Sequence, residues 1–441
     1  MKILKLLLAL SLVMPLSGCF GNEPNDLAYI VALGFDKSEN SSNYEITIQF
    51  AKPTQISGGA SEEGGKAGPD IIENVVVEAP NIYSAINTAN HIVSKKFSLF
   101  HTKIFVFSSE VAQEGVENLL ETMSRSEEIR PDVYIAVSLG KANEYLTEVH
   151  PVVELNPSKY YQLTFDKNDS DGFPRCTLQD FYFLENIDYC DVAVPLAGIS
   201  KQPESSGGQS GGQESGGQSG QSSSGGSENN EGSGRNPIQS EAPLNENGFE
   251  YKIRNYVAGQ VAIEEENKSE AMGMAIFRGK KMVGMLGGID SVIYNILKGD
   301  YRGSYVTFYE NESSDVPVTV KMVQFRKPVT MVNKDKNQIN IKLYLESDFY
   351  SLSSDYVLEK DIKNFEKNAK QEIDSACSEF IKKVRDEFDA DVLGLGLKAK
   401  RLFLTNKSFE EYDWRKEFKN YEISVDCDFK VRRTGLTIRE N

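Results

Sequence analysis

Between Lys201 and Asn247 the chain is built almost entirely from Ser, Gly, Gln, Asn and Glu, as in Ser205-Ser206-Gly207-Gly208-Gln209-Ser210. Such a composition cannot bury enough apolar surface to offset the entropy of ordering it. It reads as a flexible linker or an inserted disordered loop, and it splits the 441 residues into two stretches long enough to fold. The expected layout is a signal peptide over 1–18, an N-terminal domain over 19–200, the linker over 201–247 and a C-terminal domain over 248–441. Gly208-Gln209-Ser210-Gly211-Gly212 formally matches a hydrolase nucleophile elbow, but that motif requires a rigid strand-to-helix turn. The match carries no weight here.

The extreme N-terminus has the parts of a secretory signal: Lys2 and Lys5, a mostly apolar run over 3–15, then Leu16-Ser17-Gly18-Cys19. Small residues running directly into a cysteine resemble the bacterial lipobox, in which Cys19 receives a diacylglyceryl group and becomes the first mature residue. Two acyl chains anchor stably where one does not. Beyond Cys19 no apolar run approaches the length of a spanning helix, so the body is expected to sit on a membrane without crossing it. A net charge of −17 argues against nucleic acid as a partner and makes the anchor covalent rather than electrostatic.

The remaining cysteines are Cys176, Cys190, Cys377 and Cys427, none spaced as a zinc ribbon. Cys176 and Cys190 share a loop-rich region, where a disulfide and two separate thiols both remain open readings. Cys377 and Cys427 have apolar neighbours and read as small core residues. His91, His101 and His150 are scattered, so spacing proposes no metal site and no cofactor.

Alternating apolar and polar runs predict strands over 28–35 and 44–50 joined by a polar turn. Helical spacing follows over 82–93 and 111–123, with short buried strands at 104–107 and 133–137, an α/β pattern. After the linker, 275–277 and 282–286 flank Arg278-Gly279-Lys280-Lys281 as a hairpin. Strands are expected over 316–325 and 338–345. From Leu358 to Phe388 an apolar stripe at three- and four-residue spacing marks a helix of about 45 Å, and 421–431 reads as a last strand. The fold class expected is mixed α/β or α+β with two globular domains, the second packing its long helix on a mainly antiparallel sheet.

With these blocks in place the chain resembles the C subunits of spore germinant receptors, the Ger(x)C lipoprotein family. The resemblance rests on Ala32-Leu33-Gly34-Phe35-Asp36, Phe100-His101-Thr102-Lys103, Gly115-Val116 and Glu128-Ile129-Arg130 in the first part. In the second it rests on Gly273-Met274-Ala275-Ile276-Phe277, Val283-Gly284, Asp391-Val392-Leu393-Gly394-Leu395-Gly396, Trp414 and Arg432-Arg433-Thr434-Gly435. The chain departs from the family pattern in its long Gly/Ser/Gln segment and at Asp290, where glutamate is more usual. The resemblance implies a lipid-anchored subunit on the outer face of the spore inner membrane. It also implies partnership with integral-membrane A and B subunits, and no catalytic residues. The competing reading is a membrane-tethered solute-binding lipoprotein serving a transporter, which a cleft of aromatic and polar groups between domains would favour.

Four further features have competing readings. Gly394-Leu395-Gly396-Leu397-Lys398-Ala399 fits a dinucleotide fingerprint, but a helix precedes it and a strand-like 401–404 follows, so the glycines read as ending the long helix. His101 is the best single candidate for chemistry, yet no nucleophile or carboxylate is placed to serve it. Arg130 reads as a surface ion pair, and Lys398, Lys400 and Arg401 as a basic cluster on a solvated face, with lipid headgroups or a partner as the other reading.

Overall fold

The computed structural model describes residues 26–39, 41–51, 72–151, 154, 156–166, 172–200, 256–260, 267–311, 314–351 and 358–434. Cys19 and the 201–247 segment lie outside them.

Strands β1 (Leu27–Lys37), β2 (Tyr44–Ala51) and β3 (Ile72–Ala79) form an antiparallel meander. Helix α1 (Ile82–Ala89) starts where the Asn81 side chain accepts the Ser84 N–H, and it stops four residues short of the predicted Val93. Strands β4 (Lys96–Ser98) and β5 (Ile104–Ser108) both run parallel to β1. The helix expected over 111–123 is two pieces, α2 (Ser109–Glu114) and α3 (Glu117–Ser124). Gly115 breaks it at φ +125°, a conformation that side chains disfavour, and the Val116 N–H turns out to the Lys280 carbonyl.

Strand β6 (Tyr134–Ser138) joins β5 in parallel, and every residue of both is buried, as expected of central strands covered on two faces. Helices α4 (Ala142–Thr147), α5 (Pro157–Phe165) and α6 (Leu178–Glu185) then lead to β7 (Val192–Ile199), parallel to β6.

The main departure from expectation comes after the low-complexity stretch. The predicted hairpin forms, as β8 (Ser269–Arg278) and β9 (Lys281–Leu286), but β8 pairs antiparallel with β7, Ile199 opposite Ser269. Nine strands thus make one sheet, ordered β3-β2-β1-β5-β6-β7-β8-β9 with β4 beside β1. A boundary at residue 248 therefore does not separate the two cores. Met274, Ala275, Ile276 and Phe277 are fully buried, so β8 is an interior strand needing neighbours on both sides. Composition does not say which sheet the next strand joins.

Helix α7 (Gly288–Lys298) leads into a second sheet of β10 (Ser304–Asn311), β11 (Ser314–Asn333) and β12 (Gln338–Ser351), all antiparallel. Helix α8 (Leu358–Lys382) continues through one π-helical turn, Lys383–Glu387. Helices α9 (Leu395–Lys400), α10 (Asn406–Tyr412) and α11 (Trp414–Glu417) are short, and β13 (Glu422–Arg433) closes the sheet parallel to β12. Ile339, Ile341, Leu343 and Leu345 point inward at every second position to meet the predicted stripe of α8. Phe365 lies at the centre, 5.3 Å from Phe308, 5.2 Å from Phe349 and 6.0 Å from Phe429 between ring centres. Burying such a ring stabilises by about 2–3 kcal/mol. The architecture is mixed α+β with a long helix on a mainly antiparallel sheet. Among the described residues no helix is long and apolar enough to cross a membrane.

Candidate functional site

The two sheets meet at a pair of buried aspartates. Asp191 directly precedes β7, and its backbone N–H donates to the Asp391 carbonyl at 3.0 Å. The Asp391 N–H returns to Asp191 Oδ2 at 2.8 Å. Arg415 at the start of α11 then forks onto both Asp191 oxygens, at 3.1 and 3.3 Å, and the Gly279 N–H of the β8–β9 turn adds a bond at 3.3 Å. Burying a carboxylate is costly unless it is hydrogen-bonded, and this one accepts from Asp391, Arg415 and Gly279.

Among the described residues no cation pairs with Asp391. Its side chain accepts the Leu395 and Gly396 N–H groups at 2.9 and 2.7 Å, and the Trp414 indole N–H at 3.1 Å. Burial, assisted by the neighbouring Asp191, outweighs these donors and pushes its carboxyl up to about 6. Glycine is required at 396, since a Cβ there would lie 2.3 Å from the Tyr189 carbonyl and 2.7 Å from the Trp414 Nε1. At 394 the backbone takes φ +68°. The glycine run thus opens the short α9 against Asp391 rather than ending the long helix, which already stops near Asp389 at φ +53°. Residues 401–404 form a turn, not a strand. A few residues away, Gly284 of β9 faces the Phe388 ring, with no room for a Cβ.

Beside this joint lies a cleft of about 650 Å³ between α5, α6 and the turn after α7. Phe165, Phe173 and Tyr294 give it aromatic walls, and Arg175, Lys298 and Asp300 are among its polar groups. Arg175 pairs with Asp166 at 3.0 Å and Asp180 at 3.7 Å. Lys298 sits 6.0 Å over the Tyr294 ring, whose hydroxyl is held protonated by burial.

The residues singled out in sequence are dispersed. Cys176 and Cys190 are both buried free thiols and form no disulfide. Cys176 packs in the first core, whereas Cys190 faces Gly394 across the joint, and burial raises both thiols. Cys377 and Cys427 are buried as expected. His101 meets the Tyr29 ring edge-on at 4.5 Å, and burial followed by the Lys103 and Arg130 charges lowers its pKa. Arg130 pairs with exposed Asp132 at 3.2 Å. Asp290 is buried and held by Lys383 of the π-helical turn at 3.2 Å. Of the basic cluster, Lys400 alone is tied down among the described residues, donating to the Tyr189 hydroxyl at 2.7 Å. Asp191 and Arg415 escaped sequence reasoning, because Asp191 lies far in sequence from the groups it holds.

Residues 21–199 match the model of the spore germination protein N-terminal domain, and 272–435 match that of the spore germination B3/GerAC-like C-terminal domain. The chain belongs to the GerAC-like spore germination family. Spore germination protein KC of Bacillus subtilis is 31% identical over 168 residues, 37% of this chain and 40% of that protein. The match spans under half the length of that relative. GerQC of Bacillus cereus is 24% identical over 348 residues, covering 78% of this chain and 77% of the relative. The crystal structure of GerBC aligns over 90% of this chain and 96% of its own at a TM-score of 0.48 and 11% identity. In this GerAC-like chain two of the C-terminal motifs that carried the resemblance converge in space. Asp391, Gly394, Gly396 and Trp414 all belong to the joint, with Gly284 under Phe388 close by.

Proposed function

We propose that the protein is the lipid-anchored C-type subunit of a nutrient germinant receptor, acting in assembly and signalling rather than catalysis. The observation that carries this reading is the order of the two family matches, the first beginning two residues beyond Cys19. On this reading the signal peptide is removed, Cys19 is diacylated and carries a further acyl chain such as palmitate. The body then stands on the outer face of the spore inner membrane beside integral A and B subunits. Tethering raises the local concentration of a contact surface, so weak contacts suffice. The joint is held by reciprocal hydrogen bonds between Asp191 and Asp391, which suits a mount between the two sheets.

The test is affinity capture of the tagged protein from detergent-solubilised spore membranes, wild type against Cys19→Ala. Recovery of A and B subunits with wild type, reduced for the variant together with germination, is the expected result. Capture of a transporter of another class instead would overturn the assignment. The cleft favours a second reading, a tethered solute-binding protein. That reading requires a small solute to raise the melting temperature in a manner abolished by Arg175→Ala.

A further inference from the structure

The turn between α9 and α10 is built against the usual rule for loops. Phe403 at its centre folds inward, its ring 5.1 Å from both Phe409 and Tyr412, with the Lys334 ammonium 4.7 Å from its centre on the other side. Turning Phe403 in turns its neighbours out. Leu402 is 48% exposed and Leu404 is fully exposed, and Met331 at the end of β11, which lines a shallow depression together with Leu402, is 57% exposed. Solvated turns are ordinarily polar, and clustered exposed apolar side chains mark an interaction surface.

Cations gather beside these side chains although the whole chain carries −17 and Asp335 also lines the depression. Lys398 and Arg401 are exposed on α9 and its end, and neither has a carboxylate partner among the described residues. We infer that this tip, Leu402 and Leu404 ringed by Lys398, Arg401 and Lys334, rests on an anionic lipid bilayer. Apolar side chains then enter the headgroup boundary while the cations meet lipid phosphates. The repelled acidic body and the attracted tip together orient the molecule.

The chain topology agrees. Strands β1, β5, β6 and β7 are parallel, so Leu27 and Asp191 lie at the same end of the first sheet. The tip is fastened at that end through Tyr189, which accepts Lys400 and packs on Phe409 at 4.9 Å. Leu27 follows Cys19 by eight residues, at most about 28 Å of extended chain. This last point rests on Cys19 being the anchor; the tip's own chemistry does not.

The experiment uses the full chain, with an environment-sensitive fluorophore on Leu404→Cys, mixed with vesicles of phosphatidylglycerol or of phosphatidylcholine. Flotation reports the anchor, and quenching by nitroxide lipids reports the tip. In the lipidated protein the probe is expected to shift to the blue and be quenched on phosphatidylglycerol. In the unlipidated Cys19→Ala chain the same quenching is expected at higher vesicle concentration, and Lys398→Glu with Arg401→Glu should weaken that binding about tenfold or more, from the loss and reversal of surface charge. Leu402→Ser with Leu404→Ser, followed by flotation of the unlabelled Cys19→Ala chain, should abolish it while leaving the melting temperature unchanged, which excludes misfolding. A chain that floats with its probe still in water overturns the tip and leaves the anchor intact. A lipidated chain that fails to float overturns the anchor, and the unlipidated binding then decides the tip alone. A probe that leaves water only when integral receptor subunits are present assigns the tip to a protein contact and overturns the inference.

Discussion

Two buried aspartates perform the same local task in this molecule, with different surroundings. Asp36, at the end of β1, accepts the Ala142 and Asn143 N–H groups at 2.7 and 2.9 Å and so starts α4. Asp391 accepts Leu395 and Gly396 and starts α9. They are 2% and 4% exposed, and burial raises the pKa of both. Lys141 beside Asp36 relieves that burial, whereas Asp391 has Asp191 for a neighbour and, among the described residues, no cation. The first is a helix cap inside one layer. The second is a cap whose donors include the Trp414 indole and whose backbone holds Asp191, so local chemistry has become the fastening between sheets.

The strongest way to break this comparison is Gly396→Ala, since the new methyl meets the rigid Tyr189 carbonyl. A loss of about 3 kcal/mol or more is expected in urea unfolding, against under 1 kcal/mol for Gly140→Ala, where a Cβ would meet only the flexible Glu144 carboxylate at 3.6 Å. Next, Asp391→Ala strands three buried donors and should cost about 3 kcal/mol, with Asp36→Ala, which strands two, at about 2 kcal/mol. Equal losses would show the two caps to be equivalent.

A pH series sharpens the contrast. Asp391 titrates near 6 folded and near 3.8 unfolded, so the folded state takes up the proton first. Its contribution to stability is therefore fully present below the unfolded value and is lost as pH rises through about 6. Between pH 7 and pH 5 wild type should gain about 1 kcal/mol relative to Asp391→Asn. An unchanged difference between the two proteins would contradict the raised value. Arg415→Lys keeps the charge at Asp191 but not the fork, and about 1 kcal/mol is expected. Arg130→Ala, removing an exposed pair, should fall within about 0.5 kcal/mol.

The elements were legible where a single periodicity governs them. Alternation in β12 and the stripe of α8 predicted both, because each buries one face against the other. The Asp391–Gly396 motif was visible as a pattern, but its meaning required Trp414 and Tyr189, which packing and not spacing brings near. Helix α2–α3 looked continuous because Val111, Leu119 and Met123 keep helical spacing across the Gly115 break. The place of β8 was hidden for a related reason: Met274 to Phe277 announce a buried strand equally well for either sheet. Leu404 read as apolar strand only because its exposure is invisible in the residue type.

The pairing of Ile199 with Ser269 carries one more consequence. Those two residues sit opposite each other on adjacent, antiparallel strands. The region matched over 272–435 contributes β8 and β9 to the sheet of 21–199 besides carrying the second sheet, so the two matched regions share a core. Severed within 201–247, they have a reason to find each other again, whereas the first expressed alone would present β7 as a raw apolar edge.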